Sequence, residues 1–142
     1  MIISRQPKRS YSFKQFKEDG FSLAVFKYGR LIFHSREKNL RPLVKFITKF
    51  GWKQDKLIMY DKFIGRAAAL LFAGLKPLHI FSPIISQAAI PVLKRKNVRY
   101  STKMIVPHLM GVASRGTCKW EKMSVGHTTA SFWRLVKKRI IR

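Results

Sequence analysis

Six carboxylates, four histidines and one cysteine carry all the acid–base, metal-binding or thiol chemistry open to this 142-residue chain. The single thiol, Cys118, has Arg115, Lys119 and Lys122 close in sequence, and cations held near a thiol lower its pKa and favour the reactive thiolate. His108 or His127 would serve as its base. A thiol nucleophile and an inert packing cysteine are the two readings of this position. Among the carboxylates only Asp61 falls at a predicted strand end that faces a rim, so Asp61 and Cys118 are the candidate catalytic residues. Paired-carboxylate catalysis is disfavoured with so few acids. No metal site is expected: a zinc deaminase needs a His-x-Glu and a Pro-Cys-x-x-Cys, whereas His34 and Glu37 have the wrong spacing and no second cysteine exists. His34, at the end of a predicted strand with no metal partner near it, reads as structural. Glycine-rich phosphate loops and His-Glu-x-x-His are likewise lacking, and no cofactor is implied.

A second group of residues repeats. Leu57-Ile-Met-Tyr-Asp61-Lys62-Phe-Ile-Gly65-Arg66-Ala67-Ala68 aligns with Leu78-His-Ile-Phe-Ser82-Pro-Ile-Ile-Ser86-Gln-Ala88-Ala89, apolar over apolar and alanine over alanine. Each copy reads as strand, two-residue loop and small-residue helix, so the pair implies two parallel strands joined by a crossover helix. Both strands then end on one rim, where open α/β sheets bind ligands against helix amino termini. The expected ligand-binding set is Asp61, Lys62, Gly65, Arg66, Ser82 and Ser86. In it Asp61 orients the loop, Lys62 and Arg66 supply charge, Gly65 and the alanines allow close helix approach, and helix amides beginning near Ile64 and Ser86 point at an anion.

The remaining elements frame that rim. Residues 1–20 read as a basic extension or short helix ending at Gly20, with Phe13 and Phe16 packing on a sheet or, alternatively, meeting nucleic acid. Residues 21–142 read as one domain. Phe21–Phe26 and Arg30–Ser35 form a hairpin about Tyr28-Gly29. Asn39 is the expected cap of a helix over Leu40–Phe50, whose buried stripe is Leu43, Phe46, Ile47 and Phe50. Gly74 is expected to end the first crossover helix. Pro91, inside the second, predicts a kink or a helix regular only from that residue onward. Val98–Val106 reads as a further strand, His108–Lys122 as a loop, and Thr128 or Thr129 as the cap of a basic amphipathic helix reaching Ile140. That last helix suits docking onto the domain better than a membrane or nucleic-acid surface.

Charge is the outlying property. Thirty Lys plus Arg against six Asp plus Glu give a formal charge of +24, spread along the chain, while 46% hydrophobic and 13% aromatic residues indicate a folded domain. The expected partners are therefore anionic: a nucleotide or other phosphorylated small molecule at the paired helix ends, or, in the alternative reading, nucleic acid bound without specificity by the whole basic surface. No apolar run reaches the ~20 residues of a membrane span. Residues 1–10 place apolar residues before charges, the wrong order for a signal peptide, and a lone cysteine suits a reducing compartment. The expectation is a soluble, cytoplasmic protein.

The order hairpin, helix, strand, Asp61-Lys62-x-x-Gly65-Arg66-Ala67-Ala68-Ala69-Leu70, strand, Ser82 loop, helix, strand, then Gly116-Thr117-Cys118-x-x-Glu121-Lys122 resembles an uncharacterised bacterial domain-of-unknown-function family classed with the cytidine deaminase-like fold. The resemblance covers about Phe21 to Lys138. It implies an α/β fold, a three-layer αβα sandwich with a mixed sheet of an N-terminal β-hairpin plus parallel βα units. It also implies that the helix starts at Ile64 and Ser86 stand where true deaminases keep zinc ligands, which are absent in that family. Lys119 here follows Cys118 where the family usually has proline. Taken with the paired helix ends, the expected function is a metal-free deaminase-like domain of unknown activity that binds a nucleotide or phosphorylated small molecule there.

Overall fold

The structure, a computed structural model, describes residues 11–107 and 119–140. Cys118 and His108 lie outside the described residues. Among the described residues six helices and six strands follow in the order α1 (Phe13–Asp19), β1 (Leu23–Lys27), β2 (Arg30–Ser35), α2 (Arg41–Phe50), β3 (Leu57–Asp61), β4 (Phe63–Ile64), α3 (Arg66–Leu75), β5 (His79–Ser86), α4 (Ala89–Arg95), β6 (Tyr100–Val106), α5 (Lys119–Ser124) and α6 (Thr129–Ile140).

Local chemistry sets most of these boundaries. Ser12 accepts the Gln15 N–H and caps α1, and Gly20 ends it at φ 72°. Tyr28 and Gly29 both take positive φ, which the tight hairpin turn requires. Helix α2 starts one residue later than expected. Asn39 sits at φ 61° and leaves the N-cap to Leu40, which makes no side-chain cap bond.

The sheet is mixed. β1 pairs antiparallel with β2 and with β3, while β3, β4 and β6 run parallel to β5. Ile58, Met59 and Tyr60 face His79, Ile80 and Phe81, and Phe63 and Ile64 face Ile84 and Ile85 in unchanged register. β4 is thus the continuation of β3 along one edge of β5, and β6 takes the other edge. The alignment of the two repeated segments coincides with this pairing, rung for rung.

The repeated units are nevertheless longer than expected. Of the two-residue loops assigned to Asp61-Lys62 and Ser82-Pro83, the second lies inside β5 and the first is a one-residue break at Lys62 between β3 and β4; the helices begin at Arg66 and Ala89 rather than near Ile64 and Ser86. What looked like loop chemistry is a slip in strand alternation. Met59 and Ile64 both enter the main core although five residues apart, as do Ile80 and Ile85, so one extra residue is accommodated between each pair. Side chains bracket the slip on all three parallel strands. The Asp61 carboxyl sits against the Phe63 and Lys62 amides, while the Lys62 N–H itself donates to the Ser22 carbonyl at 3.0 Å. Ser82 Oγ donates to the Ile84 carbonyl at 2.9 Å, and Thr102 Oγ1 donates to the Met104 carbonyl at 3.1 Å. Ser82 pairs with Thr102, and Asp61 occupies the rung between Tyr60–Phe81 and Phe63–Ile84. The three brackets therefore form one line across the sheet, using the local side-chain bonding that Asp, Ser and Thr favour.

Two further expectations change. Gly74 does not end α3, which runs to Leu75 with Lys76 as its left-handed cap. A Cβ at Gly74 would collide with Trp52 and Thr129, so glycine is there for close packing. Pro91 neither kinks nor delays α4. It is the third residue of the helix, where a backbone N–H would have no partner inside the helix.

The faces of the sheet are unequally covered. The main core lies between one face and α2, α3 and α4, with Trp120 of α5 and Phe132 and Val136 of α6 buried in it. On the other face the seven-residue α1 buries Phe16 against Ala24 and Tyr60. The expected docking of the terminal helix is seen: α6 packs on α3 and α2 and leaves Arg134, Lys137, Lys138 and Arg139 outward. No helix among the described residues is long and apolar enough to cross a membrane.

Burial pushes the Asp61 carboxyl up to about 8, against the opposing pull of the Phe63 and Lys62 amides. Between the ordinary 3.8 and about 8 the folded chain holds a proton that the unfolded chain releases. Stability must therefore fall as pH rises through that window, by at most roughly 1.4 kcal/mol per pH unit. Denaturant titrations at about pH 5 and about pH 8 should show the wild type losing stability relative to Asp61→Asn; a parallel pH dependence of the two proteins is the contrary result.

Candidate functional site

The carboxyl ends of β4 and β5 meet the start of α3, and an anion does sit there, supplied by the protein itself. Glu121, on the short α5, is 6% exposed. Its Oε1 accepts the Arg66 N–H at 2.9 Å and its Oε2 the Ala67 N–H at 3.0 Å. Two of the four amides that a helix start leaves without internal partners are thereby satisfied, and the charge faces the positive end of the helix dipole.

Gly65 makes the approach possible. It is the extended N-cap of α3 and has no side chain to cap with. A Cβ at this position would overlap the Glu121 carboxylate. Ordinary capping residues are thus excluded, and the cap comes from 55 residues away. Arg66 returns the contact: its guanidinium donates to the carbonyls of Ser124 and His127, each at 3.3 Å. Those carbonyls belong to the last residue of α5 and to the turn after it, where a cation is favourable.

The six residues of the expected ligand set consequently divide. Gly65 and Arg66 are together at the Glu121 cap, with the Arg66 charge turned onto carbonyls. Asp61 and Ser82 lie upstream in the slip line, their side chains engaged with backbone. Lys62 is exposed and has its ammonium 6.0 Å from the centre of its neighbour's ring, Phe63. Ser86 is fully buried at the end of β5, and its Oγ is the buried side-chain polar atom left without a partner among the described residues. Because Ile64 pairs with Ile85, Ser86 stands beside Gly65 on the next rung, the rung whose side the Glu121 carboxylate fills. His34 stacks on Phe21 at 4.5 Å, and His127 bonds Ser131 through Nδ1 at 2.9 Å. Among the described residues no group of three His, Cys, Asp or Glu is placed to hold a metal ion.

The residue that sequence reasoning missed is Glu121. It fell inside the stretch read as a loop, and nothing local marks a carboxylate as the cap of a helix so far back in the chain. The faint signal was Gly65 itself, a helix start without Ser, Thr, Asp or Asn.

The fold and this site define a mixed-sheet α/β fold in which the short helix α5 caps the central βα unit. Residues 12–140 match the family model described as a domain of unknown function, DUF1893 (TM1506), and the chain belongs to that family. A solved DUF1893 family protein, TM1506 from Thermotoga maritima, is similar over 89% of this chain and 85% of its own, at 27% identity and a TM-score of 0.82. No curated protein matches the chain.

Gly65 and Glu121 should behave as one unit. Gly65→Ala and Glu121→Ala are each expected to cost roughly 1–3 kcal/mol in denaturant unfolding. The double variant should cost clearly less than their sum, because the added methyl then enters the space that the carboxylate has left. Additive losses would show that the two positions act independently.

Proposed function

We propose that the protein binds nucleic acid without reading its sequence, through a surface from which negative charge has been withdrawn. The observation that carries this reading is where five of the six carboxylates go, Glu18 alone standing exposed outside an ion pair among the described residues. Glu121 is buried on the start of α3, and Asp61 is half-buried at the end of β3, its carboxyl pushed up to about 8 by desolvation. Asp19 is held below the usual carboxylate range chiefly by hydrogen bonds from Tyr11 and Gln15. Glu37 pairs with Lys45 at 2.7 Å and Asp55 with Lys27 at 3.3 Å. These are the two ion pairs among the described residues, set against 30 Lys and Arg in the chain. The exposed cations of α4 and α6 therefore project a field that carboxylates scarcely offset, which draws and holds polyphosphate backbones.

A second reading, the cytidine deaminase-like classification with a small phosphorylated ligand, is supported by the consecutive parallel βα units and by the unpaired Ser86 hydroxyl. Because Glu121 already engages the first amides of α3, such a ligand would have to bind beside that carboxylate or replace it. Millimolar nucleotides should then raise the melting temperature, and no shift with any of them removes this reading.

For the leading reading, binding to a mixed-sequence duplex should weaken steeply with salt, log K falling by about 0.9 per phosphate contact against log salt. Lys137→Glu with Lys138→Glu should lower both the affinity and that slope for every sequence tested. Salt-independent binding, or none at low salt, overturns the proposal.

A further inference from the structure

We infer that the nucleic acid taken up is single-stranded, and that its bases lie on the sheet face opposite the main core, across the carboxyl ends of β4, β5 and β6. This inference rests on the nucleic-acid reading above and gives it a place and a class of ligand.

Phe63 pairs with Ile84, and Ile84 with Met104, so the three side chains share one rung and project from one face. The next rung, Ile64 and Ile85, is buried in the main core; the Phe63 rung must therefore point the other way. It points towards solvent: Phe63 is 48% exposed and Met104 54%. Three parallel strands about 4.8 Å apart give a strip about 10 Å wide, enough for a base.

The strip continues an aromatic layer. Behind it, on the same face, Tyr60 stacks on Phe81 at 4.7 Å and Phe13 stands edge-on to Phe81 at 6.1 Å. Cations border it. Lys62 and Lys103 are the exposed residues immediately before Phe63 and Met104, and the Lys103 ammonium lies 5.3 Å from the Phe13 ring centre. An apolar rung flanked by lysines fits a ligand that is apolar and flat on one side and anionic on the other. A second copy of this chain fails on charge, since each carries +24. A duplex offers phosphates but keeps its base faces stacked on each other, whereas an unpaired strand can lay them on side chains.

Fluorescence anisotropy with labelled 20-nucleotide single strands, an abasic strand of the same length and a blunt duplex, at one salt concentration, tests this. Phe63→Ala with Met104→Ser should weaken single-strand binding about tenfold or more and leave the abasic strand and the duplex within about twofold. Both sites are exposed, so melting curves should coincide with the wild type. Equal losses on all three probes, or no loss on the single strand, overturn this inference while leaving the broader reading standing. Failure of the wild type to bind any probe removes both.

Discussion

The contact between the Glu121 carboxylate and the first amides of α3 is the constraint on which the C-terminal third of this domain depends. It is reciprocal: α5 supplies the anion that α3 needs at its start, and α3 supplies, through Arg66, the cation that the end of α5 needs. Neither group would be well solvated if the other were withdrawn, because Glu121 and Ala67 are buried. An unpaired buried amide or carboxylate costs more than an ordinary hydrogen bond contributes, so the two helices are held as a pair. With α5 fixed, α6 can bury Phe132 and Val136 on the same core.

This arrangement also shapes the exterior. A protein with six acids and thirty bases would ordinarily use its acids to soften surface repulsion. Here Glu121 is spent inward on a helix start, and Asp61 is half-buried on a line of backbone brackets. Glu121 stabilises the interior with a charge that the surface then lacks, and Asp61 holds a proton rather than a charge, so the +24 of the chain is little offset outside.

Much of the frame was legible in the chain because repeated apolar positions and strand register are the same information. Aligning Leu57–Ala68 with Leu78–Ala89 reproduces the pairing of β3 and β4 with β5. The hairpin at Tyr28-Gly29 and the stripe of α2 were legible for similarly local reasons. What escaped were features whose cause is distant. Asp61-Lys62 and Ser82-Pro83 have the composition of turns, and only the line shared with Thr102 makes them strand interruptions. Gly74 resembles a helix stop until Trp52 and Thr129 are found against it. Glu121 lies far from Arg66, and no periodicity links them. At the start of α3 the structure places an anion of the protein's own, the Glu121 carboxylate.

The line of brackets across β3, β5 and β6 has a consequence for how the sheet can assemble. Parallel strands of similar composition can slide past one another and still satisfy their backbone bonds. Here a slide of one residue would turn Ile64 or Ile85 out of the core, and a slide of two would set a bracketed segment against a regular one. The interrupted rung therefore acts as an index mark, a built-in check that admits one alignment of three strands and rejects its neighbours.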